Sequence, residues 1–249
     1  MLHALLLGGV LLAAVPLDAR HAALLDAISG DANAMACTPA QVRAAAMDAD
    51  IRPLGHAGGD DVVVAHLSGG CLCGEHNCPV YALQLTAGKP RVLMSTFGYG
   101  VATRAGSPLP SIVVRAHDSA LVIDEETYAY RGGRYVEVAS GRVRGDTGAR
   151  KSDVAVRFAP GASSATLHGS ASTGWYDAYA FDAAKGQRLL VDGVRSSAKV
   201  TLSLFGPGGT VLDLRAGTPF TLPASGRFQL HVDIGGESDV PYALTLAIR

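Results

Sequence analysis

The residues of this chain that could do chemistry form no complete catalytic motif. His117-Asp118-Ser119 has the residue types of a hydrolytic triad, but neighbours along a strand point in different directions, and a triad is assembled across a fold. Asp124-Glu125-Glu126 could supply the paired carboxylates of a glycosidase, although such a run is more commonly an acidic hairpin loop. The sequence contains no Gly-x-Ser-x-Gly, His-Glu-x-x-His, Gly-x-Gly-x-x-Gly or P-loop signature. We therefore expect a protein that is not an enzyme.

Four cysteines lie in the first half of the chain: Cys37, Cys71, Cys73 and Cys78. An even number of cysteines in an exported chain favours two disulfides, because an oxidising compartment lets them persist. Cys71 and Cys73 are two residues apart and poorly placed to bridge each other in an extended chain. We therefore expect one of them to close a short loop with Cys78 and the other to pair with Cys37.

A zinc site is the alternative use of these thiols, with His66 or His76 as a further ligand. Structural zinc sites usually show two separated cysteine pairs, whereas this chain has C-x-C-x4-C and one distant cysteine. His117 could join a histidine metal site, but isolated histidines are usually solvated or hydrogen-bonded. We expect no metal and no cofactor.

The first residues predict export. Ala4 to Val15 is an unbroken apolar run, and Ala19 marks a candidate cleavage position. The run is too short for a bilayer core, which needs about 20 apolar residues, and it fits the apolar part of a secretory signal peptide. No Lys or Arg precedes it, and a buried amphipathic helix is the alternative. We expect a signal peptide over residues 1–19, a periplasmic or secreted protein, and no later membrane span.

The composition narrows the classes of partner. The chain has 21 basic and 22 acidic residues without a block of like charge. Nucleic acid favours a basic stripe on its protein partner, and an anionic membrane surface favours clustered Lys and Arg. We therefore expect neither partner.

Apolar residues at every second position predict strands with one buried face. The second half contains six such segments: Val154–Phe158, Tyr179–Phe181, Leu189–Val191, Val200–Leu204, Phe228–Ile234 and Tyr242–Leu246. The first half contains seven: Val62–Leu67, Val80–Leu85, Val92–Met94, Ser111–Val114, Ala120–Ile123, Thr127–Tyr130 and Tyr135–Val138. The glycines within Arg131–Arg134 predict a two-residue hairpin turn, and Thr38 before Pro39 predicts the start of a helix.

These patterns predict an all-β fold with two antiparallel β domains and a short N-terminal helix. The second domain is expected to be a jelly-roll-like β-sandwich. Beyond the signal peptide, the expected ranges are 30–139 for a disulfide-containing β domain, 140–153 for a linker and 154–249 for the sandwich. The linker is placed where Gly, Arg, Asp and Lys replace the apolar alternation.

Four stretches of the second half resemble the inhibitor of g-type lysozyme family: Val156–Gly169, Tyr176–Leu190, Leu222–Leu230 and Tyr242–Leu246. The same order of strands and turns also marks pre-peptidase C-terminal-like modules. The resemblance implies a sandwich that blocks a cell-wall-degrading lysozyme by inserting a loop into its cleft. Lysozymes use carboxylates, so hydrogen-bond donors and a cation on a rigid loop would suit that cleft.

Three loops could be the inserted one: Ser170–Tyr176, Phe205–Thr210 and Ile234–Val240. We favour the first, whose candidate binding residues are Ser170, Ser172, Thr173, Trp175 and Tyr176. Its tryptophan, the only one in the chain, lies beside hydroxyl donors, and an exposed aromatic is a typical interface anchor. Both aromatic residues could instead cover the sandwich core. The third loop contains two acidic residues, which acidic catalytic groups would repel.

The first half resembles a class of uncharacterised exported bacterial β domains over residues 35–138. The resemblance rests on Gly59-Asp60-Asp61, the cysteine loop and Tyr128–Tyr135, and it implies a compartment more than a function. Three functions stay open for the whole chain. It could inhibit a lysozyme in the periplasm, act as a non-catalytic module that binds cell-wall glycan or protein, or be a metal-dependent or hydrolytic enzyme centred on the Cys/His region.

Overall fold

The computed structural model of the chain describes residues 18–31, 36–86, 89–207 and 211–249. The predicted signal peptide, residues 1–19, therefore lies almost wholly outside the described residues. Neither helix in the described part of the chain is long and apolar enough to cross a membrane.

The described residues form two helices and eighteen strands. The helices are α1 (Ala19–Ser29) and α2 (Pro39–Met47). The first nine strands are β1 (Asp50–Ala57), β2 (Asp60–His66), β3 (Cys78–Leu85), β4 (Arg91–Gly98), β5 (Gly100–Arg104), β6 (Ser111–His117), β7 (Val122–Arg131), β8 (Arg134–Arg144) and β9 (Arg150–Ser152). The others are β10 (Val154–Ala155), β11 (Ser164–Ala171), β12 (Asp177–Ala183), β13 (Arg188–Ser196), β14 (Val200–Phe205), β15 (Val211–Leu214), β16 (Phe220–Thr221), β17 (Gly226–Ile234) and β18 (Val240–Ile248).

The chain divides into two compact units, the first ending at Thr96 and the second beginning at Phe97. In the first unit, α1 and α2 share a hydrophobic core with the sheet β1-β2-β3-β4. The helix start predicted at Thr38 is confirmed, because its hydroxyl accepts a hydrogen bond from the Gln41 backbone N–H and Pro39 opens α2. This arrangement satisfies an otherwise unpaired donor at the helix N-terminus.

Both disulfides lie in the first unit and confirm the predicted pairing. Cys73 closes a short loop with Cys78, and Cys71 reaches back to Cys37. The Cys37–Cys71 bridge connects the segment before α2 to the connection between β2 and β3. Because all four sulfur atoms are in disulfides, none of them is a thiolate ligand for the alternative zinc site.

The second unit contains a β-sandwich of two sheets, with strand orders β10-β12-β17-β14-β15 and β11-β18-β13-β16. The predicted alternation is confirmed along β17, where Phe228, Leu230 and Val232 are fully buried and the intervening residues are partly exposed. Leu244 and Leu246 of β18 enter the same core. The short strand β10 pairs with β12 in parallel, unlike the antiparallel pairs around it.

A third sheet, also in the second unit, has the order β5-β6-β7-β8-β9. The predicted hairpin turn joins β7 to β8, and Gly132 and Gly133 have φ values of 57° and 83° there. Both central residues of such a turn need a positive φ, which glycine adopts without strain. The segments Ala120–Ile123 and Thr127–Tyr130, predicted as two strands, both contribute to the single strand β7.

The predicted linker, residues 140–153, contains the end of β8 and all of β9. The apolar alternation used to predict strands is absent here, because the side chains that contact the sandwich are those of Arg142 and Lys151, which are polar. The predicted domain boundaries stay a prediction. The predicted fold class is confirmed, since mostly antiparallel sheets, a sandwich and a short helical region make up the described chain.

Candidate functional site

A lysine of the third sheet holds the loop of residues 170–176 in place. Lys151 Nζ donates to the backbone oxygens of Ser170 at 2.6 Å and Trp175 at 2.9 Å, and it forms an ion pair with Asp177 at 2.9 Å. The side chains of Lys151 and Asp177 are only 15% and 16% exposed. Because one ammonium group binds near both ends of the loop, it fixes the distance between them.

The first and third candidate loops are hydrogen-bonded to each other. Ser172 Oγ donates to Asp239 Oδ1 at 2.7 Å, and the Thr173 backbone N–H donates to the Gly236 oxygen at 2.9 Å. The Gly236 backbone N–H donates in turn to Thr173 Oγ1 at 3.0 Å. Together the two loops form the double loop, which consists of residues 170–176 and 234–240. Asp239, one of the two acidic residues expected to be repelled by acidic catalytic groups, accepts the hydrogen bond from Ser172 and is exposed.

Burial divides the five candidate binding residues. Trp175 is 4% exposed and Ser172 is 1% exposed, so the exposed aromatic anchor expected from the sequence is not Trp175. The indole lies beside two basic side chains, with Lys151 Nζ 5.3 Å and Arg144 Cζ 5.6 Å from the ring centroid. Thr173 is exposed, while Ser170 and Tyr176 are half-buried. A binding role for this loop stays a prediction.

Tyr176 belongs to a contiguous set of four planar side chains. Arg142 Cζ lies 4.3 Å from the Tyr176 ring centroid, and the His231 ring stacks on Tyr176 at 4.3 Å. The Phe205 ring lies 4.1 Å from that of His231. Arg142 also pairs with Asp153 at 2.7 Å, and both of these side chains are at most 5% exposed. This set joins β8 to β14 and β17 of the sandwich.

A polar cavity of about 280 Å³ lies beside this set. Its lining includes Asp118, Asp124 and Glu126 from the third sheet and Gln229 and His231 from β17. Burial, together with the negative charge of Asp118, raises the pKa of Asp124 to about 7. Burial also lowers the pKa of His231 to about 4, so its imidazole is neutral at pH 7. The cavity therefore offers donors and acceptors to a small polar ligand.

The side chains of the two motifs that resembled catalytic groups, residues 117–119 and 124–126, have different surroundings in the structure and do not all converge on one site. Asp118 lines the cavity, but the His117 ring packs on Tyr99 with centroids 4.2 Å apart. Ser119 Oγ accepts from the Val122 backbone N–H at 3.1 Å. The run at 124–126 is part of strand β7 rather than a hairpin loop, and alternation sends its middle residue, Glu125, away from the cavity.

The sequence analysis missed two residues that position the candidate site, Arg142 and Lys151. Both fall in the segment assigned to a linker. Arg142 and Arg144 are two residues apart, which is the period of a strand. This spacing could have predicted that both arginines lie on one face of β8. Among the described residues, no group of three or more His, Cys, Asp or Glu side chains is placed to hold a metal ion.

No protein-family model and no curated protein matches the chain. Solved structures of PliG, a periplasmic lysozyme inhibitor of g-type lysozyme, do match it. PliG from Salmonella Typhimurium is 30% identical, with 39% of this chain and 97% of that chain covered and a TM-score of 0.35. An Escherichia coli PliG mutant is 29% identical, with 39% and 97% covered and a TM-score of 0.35. PliG from Aeromonas hydrophila is 33% identical, with 39% and 96% covered and a TM-score of 0.32.

Proposed function

We propose that this chain, which contains a region similar to periplasmic inhibitors of g-type lysozyme, binds a lysozyme and blocks its cleft with the double loop. The observation that carries the proposal is the hydrogen bonding between the two loops and to Lys151. A loop that is already ordered loses little conformational entropy when it binds. Identities of 30% and 33% over nearly the whole length of two such inhibitors support this function.

The sandwich is the part of the chain that we assign to this function. The matched share, 39% of 249 residues, is about 97 residues, and the segment from Val154 to Arg249 has that length. We also propose a periplasmic location, which the periplasmic matches and the two disulfides support.

Thr173 is the residue of the double loop that best suits a carboxylate in the lysozyme cleft. It is exposed, and its Oγ1 accepts a hydrogen bond from the Gly236 backbone N–H. A hydroxyl that accepts in this way keeps its own hydrogen for donation. The neighbouring Glu237 is exposed and acidic, so we place the closest approach at Thr173 rather than there.

The test is inhibition of g-type, i-type and c-type lysozymes by the purified protein on cell-wall substrate. Thr173→Glu places a negative charge against the catalytic carboxylates, and we expect inhibition to weaken at least tenfold. Thr218→Glu is the matched control, because Thr218 is exposed and lies outside the double loop. A wild-type protein that inhibits none of the three classes would overturn the proposal, as would equal losses in both variants.

The polar cavity favours a second function, a non-catalytic module that binds envelope glycan. Carboxyl, amide and imidazole groups such as those of Glu126, Gln229 and His231 are suited to hydrogen-bonding sugar hydroxyls. Saturable binding of soluble cell-wall fragments, lost in Gln229→Ala but kept in Thr173→Glu, is the expected result for this function. Binding that is unchanged in Gln229→Ala would count against the cavity.

A further inference from the structure

Three arginines surround a single glutamate on one face of the third sheet. Arg104 of β5, Arg115 of β6 and Arg150 of β9 lie 3.3, 2.9 and 3.1 Å from carboxylate oxygens of Glu125 in β7. The three arginine side chains are 58%, 48% and 59% exposed, whereas the glutamate is 10% exposed. These four residues form the arginine patch, which carries two net positive charges at the surface.

Strand register brings the patch together. Arg115 pairs directly with Glu125 across β6 and β7. Arg150 pairs with Val143, which pairs with Ile123, two residues before Glu125. Side chains two residues apart share a face of a strand, so Arg150 projects from the face that carries Glu125. Asp124 and Glu126, the carboxylates of β7 that line the polar cavity, alternate with Glu125 and therefore lie on the opposite face of the strand. The arginine patch is thus separate from the polar cavity.

The patch has more hydrogen-bond donors than Glu125 can satisfy. Burial alone would raise the pKa of Glu125, but hydrogen bonds from Arg115 and Arg150 bring it below its ordinary value, so this carboxylate is ionised at neutral pH. Each guanidinium has five N–H donors and makes one hydrogen bond to Glu125. A second anion can therefore bind without displacing the glutamate.

A groove of about 180 Å³ opens beside two of these arginines. Arg104 and Arg150 line it together with Thr127 and Ser152. Two guanidinium groups and two hydroxyl groups can thus reach one bound ligand from different strands. A tetrahedral phosphate accepts hydrogen bonds in several directions, whereas one arginine fork satisfies a planar carboxylate.

We propose that the arginine patch is a phosphate-binding site, in which Arg104 and Arg150 hold the phosphate oxygens and Thr127 or Ser152 donates a further hydrogen bond. Glu125 acts as an internal counter-ion that neutralises part of the positive charge of the guanidinium groups before the ligand arrives. The phosphate is either a free anion or a group on a phosphate polymer, and the two sources are separated by experiment. This site adds to the lysozyme-binding function and does not depend on it.

The test is calorimetric titration of the full chain at low ionic strength with inorganic phosphate and, separately, with polyphosphate. Saturable binding of inorganic phosphate identifies a site for the free anion, and binding of polyphosphate alone identifies a polymer site. Arg150→Gln should weaken either interaction at least tenfold. Arg227→Gln removes the same charge from an exposed position of the sandwich and should leave it unchanged. No saturable binding of either probe, or equal losses in the two variants, overturns the proposal.

Glu125→Gln separates ligand binding from a merely structural network. Removing the internal negative charge raises the net positive charge of the patch, so phosphate should bind three- to tenfold more tightly. If the main role of Glu125 were to order the arginines, its removal would weaken phosphate binding instead. Weaker binding in a variant with an unchanged circular dichroism spectrum would contradict the proposal. If this variant fails to fold, Thr127→Val replaces it and should lower the affinity about threefold. Lysozyme inhibition should be the same in wild type and Arg150→Gln, which keeps the two functions distinguishable.

Discussion

Lys151 Nζ lies 2.9 Å from Asp177 Oδ1, and this ion pair joins the third sheet to the sandwich. The other carboxylate oxygen of Asp177 accepts hydrogen bonds from the Tyr242 hydroxyl at 2.8 Å and the Ser170 backbone N–H at 3.1 Å. One carboxylate therefore positions a strand of each sandwich sheet, the start of the double loop and the edge of the third sheet.

Lys151→Met should destabilise the protein by about 3 kcal/mol, because it leaves the mostly buried Asp177 charge unpaired and removes donors from two loop carbonyls. Urea unfolding measures this loss. Hydrogen exchange should also accelerate at Trp175, whose amide hydrogen-bonds within the loop. Lys185→Met is the control, since Lys185 is exposed and should change the free energy of unfolding by less than about 0.5 kcal/mol. Equal losses in the two variants would contradict the assigned role.

Gly169→Ala should destabilise the sandwich by at least about 2 kcal/mol. A Cβ at this position of β11 would overlap the Asp177 carboxylate and the Tyr242 side chain, so their hydrogen bond must shift. Gly100→Ala provides the comparison, because a Cβ at Gly100 meets nothing within 4 Å. Thermal unfolding of both variants checks the prediction, and similar midpoints would show that the site around Asp177 adapts easily.

Asp124 and His231 should give opposing contributions to the pH dependence of stability. Burial and the charge of Asp118 raise the pKa of Asp124 to about 7, so the folded state binds this proton more tightly and stability falls as pH rises from about 4 to 7. Burial lowers the pKa of His231 to about 4, so the folded state binds that proton less tightly and stability rises between about pH 4 and 6.5.

Single substitutions should separate these contributions. Asp124→Asn leaves the histidine, and its free energy of unfolding should rise relative to wild type as pH increases from 4.5 to 6.5. His231→Gln leaves the carboxyl and should show the opposite trend. Each slope is expected to reach at most about 1.4 kcal/mol per pH unit. Urea unfolding at three pH values measures them, and parallel profiles for both variants and wild type would refute the assignment.

Removing the two disulfides should have unequal effects. The Cys37–Cys71 bridge closes a sequence separation of 34 residues and the Cys73–Cys78 bridge one of 5. In the chain-entropy account, replacing each pair by serine lowers the free energy of unfolding by about 4 and about 2 kcal/mol, respectively. Urea unfolding of the two double variants, followed by circular dichroism, tests the order. A larger loss from the shorter loop would indicate strain or packing effects instead.

The amino-acid sequence by itself determined the local parts of this protein. Phe228–Ile234 forms a strand with one buried face because side chains alternate with a period of two, whatever the strand packs against. Gly132 and Gly133 make the hairpin turn because the required positive φ values are a property of those two residues. Chain geometry disfavoured a Cys71–Cys73 bridge, but the folded structure decided that Cys73, and not Cys71, pairs with Cys78.

Only the tertiary structure decided which distant side chains meet. Arg150 and Glu125 are 25 residues apart, and Lys151 and Trp175 are 24 apart, so their contacts depend on strand register and on how the third sheet packs. The same packing buries Trp175. The sequence around this residue was compatible with either an exposed or a buried side chain. Register and sheet packing arise from many weak long-range contacts, whereas alternation and turn chemistry act over a few residues, and the candidate sites therefore emerged only in the folded chain.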